Sequence, residues 1–382
     1  MALGFRLSPS RRVFAGFAIY AHSMGSIFPR LGDVQAGMGV TKAELGMGLI
    51  GAPIGTLIAL TFATPWLERI GFRRALMTLI PVIALTYAIA VRAPDPFWFF
   101  MLLLPVGMTI GCVEIILNIE ADRTEHMLGY RIMNRSHAFW SIGFFVAGGY
   151  GAQMAGWGIS PEWHLALNVP LVVVAVILFL GHYEPSPPRP GSAEKTPRFA
   201  APSAPILLLV LVTVPAMLLE GASMDWSAIY MRDLFAAPPF LAGIAVACFA
   251  AAQATTRFFA DGVVDRYSPA AVARVLFVVL GAGCLAVTFS PWPWLSLLGF
   301  AAMGMGTSAI FPLAMSAAAQ RTDRPAAINV AALAQFSFTI FLIGPPLLGH
   351  VAEDFGLRVA FGLGLPLILV SLATAGALGR RG

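Results

Sequence analysis

The sequence predicts an all-α polytopic membrane protein, with twelve transmembrane helices in two pseudo-symmetric six-helix bundles. Three observations carry that expectation. The 382 residues are 58% hydrophobic and only 11% charged, against about 25% charged in a typical soluble domain, and the mean hydropathy is +0.80. The apolar segments run about 20 residues, without the two-residue alternation of a barrel strand. One stretch rich in Pro, Ser and charge divides those segments six and six.

Residues 1–12 are short and basic, and Val13 onward reads as an uncleaved first span rather than a cleaved signal peptide. The first six spans are placed at 12–32, 43–65, 75–92, 97–121, 132–156 and 162–182, an N-terminal bundle over 1–182. Tyr183–Pro205 reads as an exposed cytoplasmic linker. The last six spans are placed at 206–230, 239–260, 271–290, 293–316, 326–350 and 358–378, a C-terminal bundle over 206–382. Two six-span halves joined by one polar linker is the layout of a duplicated transporter. Basic residues set the orientation, because they concentrate in cytoplasmic loops. With the N-terminus inside, 19 of the 24 Lys and Arg residues fall on the cytoplasmic side. The outer side keeps only Arg30, Lys42, Arg92, Arg232 and Arg358. Both termini are therefore expected on the cytoplasmic side of the membrane.

Composition also excludes function classes. The net charge of +5 comes from Arg residues between spans, forming no basic face for nucleic acid. Cys112, Cys248 and Cys284 fall inside spans at unrelated spacings, so neither a disulfide framework nor a metal site is expected. No P-loop lysine motif is present, no cofactor is implied, and a monomer in the bilayer is expected.

Span 7 carries the most informative residues. The stretch Val214–Met231 holds Glu220 and Asp225 inside an apolar run. An acid at the centre of a membrane helix costs about 2.5–3.5 kcal/mol on insertion scales, and such residues usually line a wet cavity or meet a partner. Their five-residue spacing is about 7.5 Å of rise and about 140° of turn, so they can face one wide cavity at different depths. The alternative for either acid is a pairing that only sets helix packing. Trp226, beside Asp225, is the tryptophan expected to meet substrate. Trp66, Trp98, Trp140 and Trp294 read as interfacial or packing residues.

Two loops repeat between the halves. The first reads Thr64-Pro-Trp-Leu-Glu68-Arg69-Ile-Gly71-Phe-Arg73-Arg74, and the second Asp261-Gly-Val-Val-Asp265-Arg266-Tyr-Ser268. Both resemble the signature loop of the major facilitator superfamily, roughly G-x-x-x-D-R-x-G-R-[RK], once per half. In that family the loop looks like a latch favouring the outward-open state, which would here use Glu68, Arg69, Gly71, Arg73, Asp265 and Arg266. Glu68 replaces the usual Asp, Thr64 the leading Gly and Ser268 the second Gly of the later copy. Span 5 opens Arg131-x-x-Asn134-Arg135-x-His137, and span 11 opens Arg324-x-x-x-x-Asn329 and continues to Gln335 and Gly344-Pro345-Pro346. Both begin polar and end in small residues that allow close approach and bending. Ala147-Gly148 stands where the family's drug exporters carry Gly-Pro, which weighs against drug efflux. The phrases Glu114–Asn118, His137-Ala-Phe-Trp140-Ser-x-Gly143 and Glu220-Gly-Ala-x-x-Asp225-Trp226-Ser227 resemble a bacterial subgroup of the superfamily with D-x-x-x-N in span 4 and E-G-x-x-x-D-W-S in span 7.

The resemblance implies that spans 1, 4, 7 and 10 line a central cavity. That adds Tyr20 and His22 of span 1 to the candidate site. Glu114 and Asn118 share a helix face, and Arg135 and His137 enter at similar depth. These four are expected to form a cluster that binds solute, relays a proton or is simply a satisfied structural network. Arg257 and Asp261, one turn apart, are expected to pair with each other. The expected function is proton-coupled uptake of a small polar organic solute, sugar-like or similar, by alternating access, with Glu220 the first choice for the proton. A proton-driven exporter of amphipathic compounds, a non-transporting receptor and a membrane enzyme are the rivals. The last lacks an ordered triad around Ser136 and His137.

Overall fold

A computed structural model of the chain describes residues 4–188, 200–264 and 266–379, without the side chains of Asp261 and Ala327. Among these residues no strand occurs. Six long helices form the first half: α1 (Pro9–Gly25), α2 (Lys42–Phe62), α3 (Phe72–Ala90), α4 (Pro96–Leu128), α5 (Met133–Gly156) and α6 (Pro161–Leu180). Six more form the second: α7 (Ala204–Phe235), α8 (Pro239–Val264), α9 (Pro269–Phe289), α10 (Pro293–Ala319), α11 (Ala326–Asp354) and α12 (Leu357–Gly379). Pro opens many of them at the first turn, where its missing N–H has no partner to lose.

Among the described residues ten helices are long and apolar enough to cross a membrane, and α1 and α5 are the two left over. The reason is polarity and length. α1 is 17 residues and stops at Gly25, where the expected span 12–32 breaks into a 3-10 turn, Phe28–Arg30, and a short helix, Leu31–Met38. α5 has 24 residues but carries Asn134, Arg135, His137, Ser141 and several glycines. These two helices pack on each other; in α5 Ser141 is buried and His137 half-buried, while Asn134 and Arg135 are exposed. α4 and α7, at 33 and 32 residues, are about 50 Å long and overrun the hydrocarbon layer.

The same packing pairs recur in both halves. α1 packs on α5 as α7 packs on α11, and α2 on α4 as α8 on α10. α3 packs on α6 as α9 on α12. Glycines stand at the α2–α4 and α8–α10 seams, Gly107 in the first beside Gly51, Gly55 and Gly111, and Gly304 in the second. A Cβ on Gly107 would strike the carbonyl of Ala52, and one on Gly304 the carbonyl of Phe249. Across the halves, α5 meets α8 and α2 meets α11, again an exchange-related pair.

At the end with few arginines the halves are fastened together. Lys42 Nζ lies 3.1 Å from Asp233 Oδ2, and the Lys42 backbone N donates to Glu353 Oε2 at 3.0 Å. Arg232 donates to the Gly32 carbonyl and to Gln35 Oε1. The linker ends are also held. Tyr183 Oη and the Ser186 N–H donate to Glu120 at 2.9 and 3.0 Å. Arg324 donates to the Ala201 carbonyl at 2.7 Å. Residues 189–199 of the linker lie outside the described residues.

Candidate functional site

Glu220 sits near the middle of α7, half-buried, and its partners come from α8. Gln253 Nε2 donates to Glu220 Oε1 at 2.9 Å, and Arg257 Nη2 lies 3.7 Å from the same oxygen. Gln253 and Arg257 are one turn apart, so both reach the same carboxylate. Arg257 was expected to pair with Asp261, whose side chain lies outside the described residues; its guanidinium reaches Glu220. Arg257 also donates through Nη1 to Ser141 Oγ at 2.8 Å and through Nε to the Ser308 carbonyl at 3.1 Å. That carbonyl is available because Pro312, four residues on, has no N–H to give it. The break in α10 at Ser308–Ala309 has the same cause.

Ser141 belongs to α5, so this network joins the two halves. Ser141 Oγ also lies 3.3 Å from Gln253 Oε1. Arg257 Cζ stands 6.0 Å from the Trp140 ring centroid, a weak cation–π distance. Tyr20 Oη donates to Glu114 Oε2 at 3.1 Å. Asn118 Nδ2 donates to the Glu114 carbonyl at 2.9 Å, leaving Asn118 Oδ1 to accept from His137 Nε2 at 3.2 Å. Glu220, Gln253, Arg257 and Ser141 thus form one network across the two halves, and Tyr20, Glu114, Asn118 and His137 form a second within the first half.

Asp225 is a different kind of acid. It is half-buried and has no hydrogen bond or ion pair among the described residues. Tyr87 of α3, on the opposite half, lies within electrostatic reach of it. A carboxylate held at a helix-lined centre without a partner has its acceptor sites free for a ligand or a proton.

Several expected members lie elsewhere. Arg135 is exposed and makes no contact with Glu114, Asn118 or His137, so the expected four-residue cluster is a three-residue one. Trp226 is 1% exposed, and its indole Nε1 has no hydrogen-bond partner among the described residues. His22 hydrogen-bonds Asn168 of α6 at 3.0 Å, toward the arginine-poor end. Gln335 of α11 accepts from the Ala200 N–H at 3.1 Å, where the linker enters α7. In the first latch loop, Gly71 has φ +85, a conformation suited to glycine. Arg73 donates to the Gly181 carbonyl at 2.6 Å within its own half. Glu68, Arg69 and Arg266 are exposed and make no ion pair among the described residues, and Asp265 lies outside them. Among the described residues of the two loops no ion pair joins the halves.

Sequence reasoning missed Gln253, Ser141 and Tyr87 and gave Arg257 and Trp140 other roles. The signal for two of them was present. Gln253 and Arg257 sit in the apolar run of span 8, where the same insertion cost that marks Glu220 applies. Two surface hollows, of about 410 Å³ beside Arg92 and Trp98 and about 280 Å³ beside Phe72 and Arg73, hold none of the midplane groups. Among the described residues no group of three or more His, Cys, Asp or Glu is placed to hold a metal ion.

Comparison with known proteins adds the following. Residues 209–381 match the family model of the Major Facilitator Superfamily. The chain is 29% identical over 365 residues to the uncharacterized transporter y4wD of Sinorhizobium fredii, covering 93% of this chain and 94% of that one. It is 26% identical over 369 residues to an uncharacterized MFS-type transporter of Yersinia pestis, covering 95% and 94%. Among solved structures, a mutant of the nucleoside transporter NupG superposes with TM-score 0.72 at 15% identity, covering 98% of this chain and 100% of that one. A D-xylose-proton symporter superposes with TM-score 0.67 at 12% identity, covering 95% and 96%.

Proposed function

We propose that this chain, whose residues 209–381 match the Major Facilitator Superfamily model and whose relatives include an MFS-type transporter, is a proton-coupled transporter of that family. It takes up a small polar organic solute across a bacterial inner membrane, both termini cytoplasmic, by rocking its two halves about the midplane. One observation carries the reading: Glu220 and Arg257 pair on the second half and are tied through Ser141 to the first. Burial favours the neutral form of a carboxyl, and a nearby cation favours the charged form. A proton arriving at Glu220 cancels the charge that holds Arg257. The guanidinium is then free to shift away from Ser141, and the contact between the halves loosens. Return of Arg257 expels the proton on the other side.

The solute site is placed between Asp225 and the Glu114–Tyr20 pair. Carboxylate oxygens without full hydrogen bonding, with Tyr, Asn and His groups beside them, suit hydroxyls and other polar donors. The fold neighbours that carry a nucleoside or D-xylose with a proton support a polar cargo of this size. The test is solute flux in proteoliposomes with and without a pH gradient. Glu220→Gln is expected to abolish gradient-driven accumulation while leaving solute exchange; accumulation persisting in that variant sinks the assignment. Drug efflux with no uptake of any polar solute would reverse the direction.

A further inference from the structure

We propose that His22 and His164, together with Tyr150, form a second proton-binding site beneath the fastened end, and that its protonation releases that end. The site is separate from the midplane network and shares no residue with it.

Three observations support this. The first is orphaned nitrogen. His164 is 0% exposed, yet neither ring nitrogen has a hydrogen-bond partner. His22 Nδ1 and Arg30 Nη1 are buried without partners as well. Buried polar groups are nearly always paired, so four such atoms close together call for an explanation. The second is a fixed tautomer. Asn168 Nδ2 donates to Ser26 Oγ at 3.0 Å, and Ser26 Oγ donates to the His22 carbonyl at 2.7 Å. Asn168 Oδ1 must then accept from His22 Nε2. His22 Nδ1 is left as a bare lone pair facing protein, ready to take a proton. The third is position. The Tyr150 ring lies 5.0 Å from that of His164 and 5.9 Å from that of His22.

The charges around the pair decide the sign. Arg30 and His22 are the ionisable groups within reach of His164. Arg30 Nε is paired with Asp33 at 2.6 Å, and its Nη2 donates to the Ile159 carbonyl. Glu162 lies within electrostatic reach of Arg92 and Arg30. The second half adds Arg232, which lands on Gly32, two residues from Arg30. Pro29 lies against Gly243 of α8. Protonating His164 or His22 therefore adds a cation beside Arg30, in a place where Asp33 is already committed. The strain falls on the turn Phe28–Arg30, which is the surface the second half rests on. The fastened state is favoured with both rings neutral and disfavoured as pH falls.

Spin labels at Gly37→Cys and Phe355→Cys, in a chain with Cys248→Ala, read the separation of the two halves at this end, since both positions are exposed. Lowering the pH from about 8 to about 5, across the range where histidine titrates, is expected to move the distance distribution to longer values. His164→Gln is expected to remove most of that shift, and His22→Gln to reduce it. Glu220→Gln is expected to leave it in place, so failure here is distinct from failure of the midplane assignment. An unchanged distance in the parent chain overturns the proposal. A shift that survives in both histidine variants, with melting temperatures near the parent's, overturns it too.

Discussion

Glu220 and Asp225 lie five residues apart on one helix and meet opposite surroundings. Glu220 has a donor and a cation within 3.7 Å; among the described residues Asp225 has neither. The difference comes from α8, which presents Gln253 and Arg257 at one level only. Arg257 is the residue most heavily engaged, with Glu220, Ser141 and the Ser308 carbonyl all on one guanidinium. A planar fork is needed to reach three acceptors. Arg257→Met is expected to cut the initial transport rate at least about tenfold, equivalent to about 1.4 kcal/mol of barrier. Arg257→Lys is expected to recover part of it, because an ammonium keeps the charge and loses the fork. Equal rates in Met, Lys and parent proteins would remove Arg257 from the mechanism.

At the scale of elements, seams between helices depend on residues without side chains. Gly107 and Gly304 stand at equivalent places in the two halves, each against a neighbouring backbone carbonyl. Overpacking a tight seam costs about 1–3 kcal/mol. Gly107→Val is therefore expected to lower the apparent melting temperature by several degrees. Gly37→Ala, whose Cβ would meet nothing within 4 Å, serves as the control and is expected to stay near the parent. Thermal unfolding in detergent compares the two; equal losses would mean that the seam is looser than the close approach indicates. The broken α1 and the polar α5 belong to the same scale. Both fall short of a membrane span by length or apolarity.

For the whole molecule, the two halves are joined at the midplane and at one end. The end fastening rests on Lys42, Asp233, Glu353 and Arg232. Lys42 and Asp233 are 24% and 25% exposed, so their pair contributes about 0.2–1 kcal/mol. Removing it shifts the balance between fastened and released forms by at most about fivefold. Lys42→Ala with Asp233→Ala is expected to broaden the label distances at that end toward longer values at about pH 8. The exchange Lys42→Asp with Asp233→Lys is expected to restore the parent distribution. A distribution untouched by either change would place the fastening elsewhere, on the backbone contacts of Arg232 and Lys42.

The sequence by itself determined the helical class, the twelve long segments and the placement of costly acids in α4 and α7. It could do so because hydrocarbon penalises every polar side chain, and each exception stands out along the chain. Ten of the segments meet the length and apolarity of a membrane crossing. The tertiary structure decided the partners: Arg257 with Glu220 and Ser141, Arg135 outside the cluster, and His22 with Asn168. Those choices join helices far apart in the chain, such as Ser141 with Arg257. A one-dimensional pattern records the cost of burying a charge, while the group that offsets it is fixed only when helices from both halves come together.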